Sequence, residues 1–165
     1  MTPTPPPTTD AHLVFMRRAI ELSRHGMLRR DGGPFGAVVV KDGRVVGEGW
    51  NRVIATNDPT AHGEVEAIRD AGRRLGTFVL AGCDLYTSAE PCPMCLAAVY
   101  WARLSRVFFG NTLAAAAAIG FDDSLILAEF GKPGAERLIP ATRLLADEAA
   151  EVFREFAADP THVRY

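Results

Sequence analysis

Residues 62–95 read HGEVEAIRDAGRRLGTFVLAGCDLYTSAEPCPMC, and the order of elements in this stretch decides the fold. His62, Gly63 and Glu64 open a segment with Val65, Ile68 and Leu75 on one face, the spacing of an amphipathic helix. A strand follows near Asp84 to Thr87, and a second helix runs from about Pro91 to Arg103. Upstream, residues 11–28 place Leu13, Met16, Ile20 and Met27 at helical spacing, with Asp10 as N-cap and Asp31-Gly32-Gly33-Pro34 as terminator. Phe35 to Val40 and Arg44 to Trp50 read as strands joined by a tight turn at Lys41-Asp42-Gly43-Arg44, because Asp-Gly tolerates positive φ. A polar loop spans Asn51 to Thr60. Downstream come a strand at Arg106 to Gly110, an alanine-rich helical turn at 113–119 and a loop at Gly120 to Asp123. A weak strand near Thr142 to Leu145 precedes a final helix with Ala149, Val152, Phe153 and Phe156. This order predicts an α/β sheet covered by helices on both faces.

The chain of 165 residues is long enough for one domain with a real core. Its 48% apolar and 23% charged residues match an ordinary globular protein. No apolar run approaches the ~20 residues of a membrane-spanning helix. MTPTPPPTTD has neither the basic start nor the apolar stretch of a signal peptide, so residues 1–10 read as a disordered lead-in and the cytoplasm as the location. The domain is expected over 11–158, with 159–165 as a polar tail that on local grounds should fray. The net charge is −2, and the doublets Arg17/Arg18, Arg29/Arg30 and Arg73/Arg74 read as solvated helical faces. A nucleic-acid binder would show a net basic stripe instead. Three cysteines cannot form a disulfide framework, and Cys83 beside an apolar strand reads as a small buried residue.

Cys92 and Cys95 are three apart at a helix start, so both sulfurs can reach one ion where the helix end favours thiolate. Alone, this C-x-x-C also fits a redox dithiol. Glu64 near a helix N-terminus is favourable without any function. The combination discriminates: His-x-Glu followed by Pro-Cys-x-x-Cys, each half opening a helix, is the signature of a zinc deaminase. One imidazole and two thiolates, His62, Cys92 and Cys95, leave the fourth position of a tetrahedral zinc for water. Zinc lowers that water's pKa toward ~7, so hydroxide is available at neutral pH. Glu64, two residues past His62 and not a ligand, is placed to carry protons from water to a ring nitrogen and a departing amine. A structural zinc site needs four protein ligands. Cys83 lies on a separate strand, and His12, His25 and His162 lie far along the chain, so none of them reads as the fourth.

His62-Gly63-Glu64-Val65-Glu66-Ala67-Ile68, with Leu85 to Cys95, resembles the cytidine deaminase superfamily. Within it, Tyr100-Trp101-Ala102-Arg103 and Gly120-Phe121-Asp122-Asp123-Ser124 resemble the bacterial guanine deaminases. The resemblance runs from about residue 11 to the C-terminus. It implies a three-layer α-β-α fold with an about five-stranded mixed sheet, one zinc per chain, and hydrolysis of guanine to xanthine and ammonia. It also implies that Asn51 hydrogen-bonds the purine, that Phe35 and Trp101 pack near the base, and that Gly63 forms part of the substrate wall. Asp123 would recognise the base or assist proton transfer. A homodimer is implied in which the C-terminal segment crosses over and Tyr165 closes the partner's site. Two positions depart from the family: Ala89 stands for its usual cysteine, and Gly63 for its usual alanine.

The rival within the superfamily is a tRNA adenosine deaminase, which calls for basic residues around the site and a basic terminal helix. Here that helix carries Asp147, Glu148, Glu151 and Glu155 against Arg154. Guanosine, cytosine or ammeline are alternative substrates. A non-catalytic zinc-binding subunit would need neither Glu64 nor an open coordination position.

Overall fold

The computed structural model of the chain describes residues 10–164. The expected lead-in thus lies outside the described residues except for Asp10, and Tyr165 lies outside them too. Two strands, β1 (Gly36–Lys41) and β2 (Arg44–Trp50), pair antiparallel. Asp42 and Gly43 take positive φ (48° and 72°), which is why Asp-Gly stands at this turn. β1 also pairs antiparallel with β3 (Asp84–Ala89), and β3 pairs parallel with β4 (Arg106–Asn111). The sheet order is β2-β1-β3-β4.

Alternation along β1 divides the core. Ala37 and Val39 face Ala67 and Ala71 of α3 (Gly63–Leu75), with Val99 of α4 (Pro93–Trp101) in the same cluster. Val38 and Val40 face the other way, packing with Ala19 and Leu22 of α1 (Asp10–Arg29). Helices therefore cover both faces, and the sheet is mixed, as expected from the order of elements. Closeness governs the α3 face. A side chain at Gly49 would collide with the Ala67 nitrogen and the Gly63 carbonyl, so β2 lies directly on the helix that opens at His62.

Three expectations are corrected. Among the described residues the sheet has four strands, not about five: Thr142–Leu145 is irregular, and Leu145 turns through a left-handed φ of 48° into the last helix. The buried face of α1 is Ala19, Leu22, Ser23 and Gly26, whereas Leu13, Ile20 and Met27 are exposed. Small residues win that face because the sheet approaches closely: a side chain at Gly36 would strike the Ser23 nitrogen and the Ala19 carbonyl. The second site helix starts at Pro93 rather than Pro91, with Cys92 as its N-cap. A short helix, α2 (Val53–Thr56), stands within the expected polar loop, and α6 (Ser124–Phe130) follows α5 (Leu113–Ala118).

The chain divides into two compact units, the first ending at Ile126 and the second beginning at Leu127. The sequence-based boundary at 158/159 lies within the second. That unit contains a 3-10 turn at Gly134–Glu136 and α7 (Ala146–Ala158). Glu129 organises its start, accepting from the Leu138 backbone (2.6 Å) and from Lys132. The chain after α7 folds back on it: the His162 ring stacks on Phe156 with centroids 4.5 Å apart. Among the described residues no helix is long and apolar enough to cross a membrane.

Candidate functional site

His62 is the N-cap of α3 and Cys92 the N-cap of α4, so two helix N-termini deliver the candidate ligand side chains. The Cys92 sulfur accepts from the Cys95 backbone N–H at 3.5 Å, which fixes the turn between the thiols. His62 Nδ1 lies 3.5 Å from the Cys92 sulfur and 3.4 Å from that of Cys95. Tetrahedral zinc with Zn–S ~2.3 Å and Zn–N ~2.0–2.1 Å separates sulfur and nitrogen by ~3.6 Å. The donor set fits zinc in both chemistry and spacing. Among the described residues, His62, Cys92 and Cys95 form the group of His, Cys, Asp and Glu side chains close enough to share one ion. The Cys95 thiol donating to Cys92, with His62 adding to the effect, draws the Cys92 thiol down to about 4. The same contact pushes Cys95 up. Cys83 is fully buried in the core beside Leu85 and stands apart from this group.

Glu64 is 5% exposed, one of few buried charged residues. Burial pushes its carboxyl up to about 7, and the negative Cys92 adds to the shift. A carboxyl near neutrality is suited to taking up and releasing protons.

His62, Cys92 and Glu64 open into a cleft of about 540 Å³ within the first unit. Phe35, Asn51 and Asp123 also line it, so five sequence-predicted residues besides the two cysteines have been brought together or adjoin one cavity: Phe35, Asn51, His62, Glu64 and Asp123. Asn51 is buried, and its Oδ1 accepts from the backbone N–H groups of Gly33 (3.2 Å) and Val53 (3.3 Å). With the carbonyl so occupied, its amide nitrogen is left to donate. Burial pushes the Asp123 carboxyl up, reinforced by the charge of Cys92.

Two predicted substrate residues are not on this wall. Trp101 is 65% exposed at the far end of α4, which at ~1.5 Å per residue carries it ~12 Å from the first turn. Gly63 is buried beneath the cleft, where a side chain would press on the backbone of Phe35 and Gly36. Conversely, the sequence reading assigned no role to Phe121 or Glu90, both of which line the cleft. Phe121 meets Phe35 edge to face, ring centroids 4.8 Å apart. Its signal was its place beside Asp122 and Asp123; that of Glu90 was its position immediately before Pro91.

The family model for the cytidine and deoxycytidylate deaminase zinc-binding region matches residues 9–111. Guanine deaminase from Bacillus subtilis is 50% identical over 143 residues, 87% of this chain and 92% of that protein. The X-ray structure of guanine deaminase from Bacillus subtilis superposes with a TM-score of 0.90 at 47% identity, covering 93% of this chain and 98% of that one. A tRNA-specific adenosine deaminase from Agrobacterium fabrum is 49% identical over 81 residues, 49% of this chain and 53% of that protein.

Proposed function

Because the chain belongs to the zinc-binding cytidine and deoxycytidylate deaminase family, we propose that it hydrolyses the amino group of a purine base, guanine giving xanthine and ammonia. The observation that carries the choice of substrate is the lining of the cleft. His62, Cys92 and the buried Glu64 adjoin apolar walls from Phe35, Val53, Leu113 and Ala116. The charged residues among the lining are Glu64, Glu90, Asp122 and Asp123, with no lysine or arginine. A phosphorylated or polynucleotide substrate calls for cations at the mouth, so this cleft suits a neutral base and disfavours tRNA.

Zinc, when bound, supplies the Lewis acidity that makes water a nucleophile near neutral pH. Glu64 accepts the proton that water loses and delivers it to the ring nitrogen beside the carbon under attack. It then carries the proton of the added hydroxyl to the departing amine, so that the carbonyl forms as the C–N bond breaks and ammonia leaves. Asn51 donates to an acceptor on the base, Phe35 packs against the ring, and Asp123 accepts from the base or assists the transfer. Cytoplasmic location belongs to the same reading, since Cys92 and Cys95 must stay as thiols.

Ammonia release from guanine, guanosine, adenine, cytosine and ammeline tests the substrate. Guanine should show the highest kcat/KM. Turnover of cytosine or a tRNA stem-loop without turnover of guanine would overturn the reading.

Homodimer formation with exchange of residues 159–165 is part of this proposal. It is supported by Val152 and Phe153 of α7, apolar side chains that are 61% and 80% exposed in the single chain. A tail that closes the partner's cleft acts after substrate enters, so its loss should reduce catalysis more than folding. Deleting 159–165 is expected to leave a folded, zinc-loaded protein with guanine turnover down ~10-fold or more. Mixing it with a Glu64→Gln protein should restore activity, because an intact tail then covers an intact site in the other chain. Unchanged kinetics, or no rescue in demonstrated heterodimers, would remove the tail from the site.

A further inference from the structure

The cleft has two walls of different origin. One is the metal-bearing turn at the end of β3. The other is α5 and the Gly120–Asp123 loop, which contribute Leu113, Ala116, Phe121 and Asp123. Glu90 bridges them. Its backbone N–H donates to the Asn111 carbonyl at 2.7 Å, and its side-chain Oε2 accepts from the Leu113 N–H at 3.1 Å. Leu113 is the first residue of α5, where the backbone N–H has no partner inside the helix. Asn111 closes the arrangement from the other side, its side-chain amide donating to the Ser88 carbonyl at 3.2 Å. Ser88 in turn accepts from the Gly36 N–H through its hydroxyl, beside Phe35. A chain of hydrogen bonds thus runs from the Phe35 wall through β3 to α5, and the Glu90 carboxylate is its last side-chain link.

We propose that Glu90 is a positioning residue for substrate: its carboxylate holds the start of α5 against the metal-bearing turn and so fixes the wall that faces the base. The inference rests on the deaminase reading for what the wall binds, but the clamp itself is a property of the chain. α5 has only six residues, five of them alanine; its N-cap Thr112 accepts from the Ala115 N–H, which leaves the Leu113 N–H to Glu90. What Glu90 contributes to Leu113 is an acceptor at the right reach. Formal charge is secondary. Two substitutions separate these properties: Glu90→Gln keeps reach and acceptor but removes the charge, whereas Glu90→Asp keeps the charge and shortens the arm.

The three proteins Glu90→Gln, Glu90→Asp and Glu90→Ala are compared with the parent by hydrogen exchange of amides 113–116 and by guanine kinetics at full zinc content. Glu90→Gln should match the parent within about 3-fold in both readouts. Glu90→Asp and Glu90→Ala should exchange faster at Leu113 and raise KM ~10-fold, with kcat changed by less than about 3-fold, as expected when substrate placement is loosened. If the parent does not turn over guanine, the functional reading fails while the exchange data still decide the clamp. Unaltered exchange in Glu90→Asp and Glu90→Ala would overturn the proposal. So would a Glu90→Gln protein as impaired in KM as Glu90→Ala, which would mean that the carboxylate charge acts on the substrate itself.

Discussion

Glu64→Gln is expected to keep zinc at about one equivalent per chain and to lower guanine turnover by ~10²–10⁴-fold, the range for loss of a positioned general acid–base group. The amide has the carboxylate's shape and fits the same buried position. None of His62, Cys92 and Cys95 is altered, so the metal site should survive. What disappears is a group that can accept and return a proton, and burial has tuned that group to about 7 in this protein. The measurement pairs zinc content with steady-state kinetics on the same sample. Substantial activity at full zinc content would remove Glu64 from the mechanism.

Cys92→Ala should lose both metal and activity. Loss of an outer-shell partner costs ~10–100-fold in metal affinity, and removing a direct ligand should exceed that. A second effect must be separated from the first, because Cys92 is also the N-cap of α4 and its sulfur accepts from the Cys95 N–H. Removing a cap costs ~1 kcal/mol of stability, so a modest drop in melting temperature is expected in any case. Cys92→Ser resolves the two, since a hydroxyl retains a capping acceptor and is a poor substitute for thiolate. Both variants should be depleted of zinc, with Cys92→Ser the more stable. Zinc retained at the parent's affinity in either protein would mean that the ligands lie elsewhere.

The cluster of His62, Cys92 and Cys95 was legible in the sequence because zinc chemistry restricts residue type and local spacing together. Cys92 and Cys95 sit on one helical turn, and His62 and Glu64 on another, so no long-range packing had to be inferred to pair them. The hairpin was legible for a similar reason, since Asp42-Gly43 meets a backbone requirement within four residues. Other features depended on distance between elements. The face of α1 was misread because hydrophobicity pointed to Leu13, Ile20 and Met27, while closeness to the sheet selected Ala19, Ser23 and Gly26. Thr142 to Leu145 reads as a weak strand with one β-branched residue, Thr142, and the turn at Leu145 leads into α7 instead of a pairing. Trp101 followed the motif in sequence, yet helical rise takes it away from the cleft. Glu90 escaped notice because its partner is a backbone N–H 23 residues later, which no side-chain pattern reveals.

Hydrolytic deamination dependent on zinc can be checked on a single sample. Protein carrying one zinc per chain, incubated with guanine, should release xanthine and ammonia in equal amounts. Activity should fall when a chelator strips the metal and return when zinc is restored. Guanine left intact, with no ammonia formed by fully zinc-loaded and folded protein, would contradict the account.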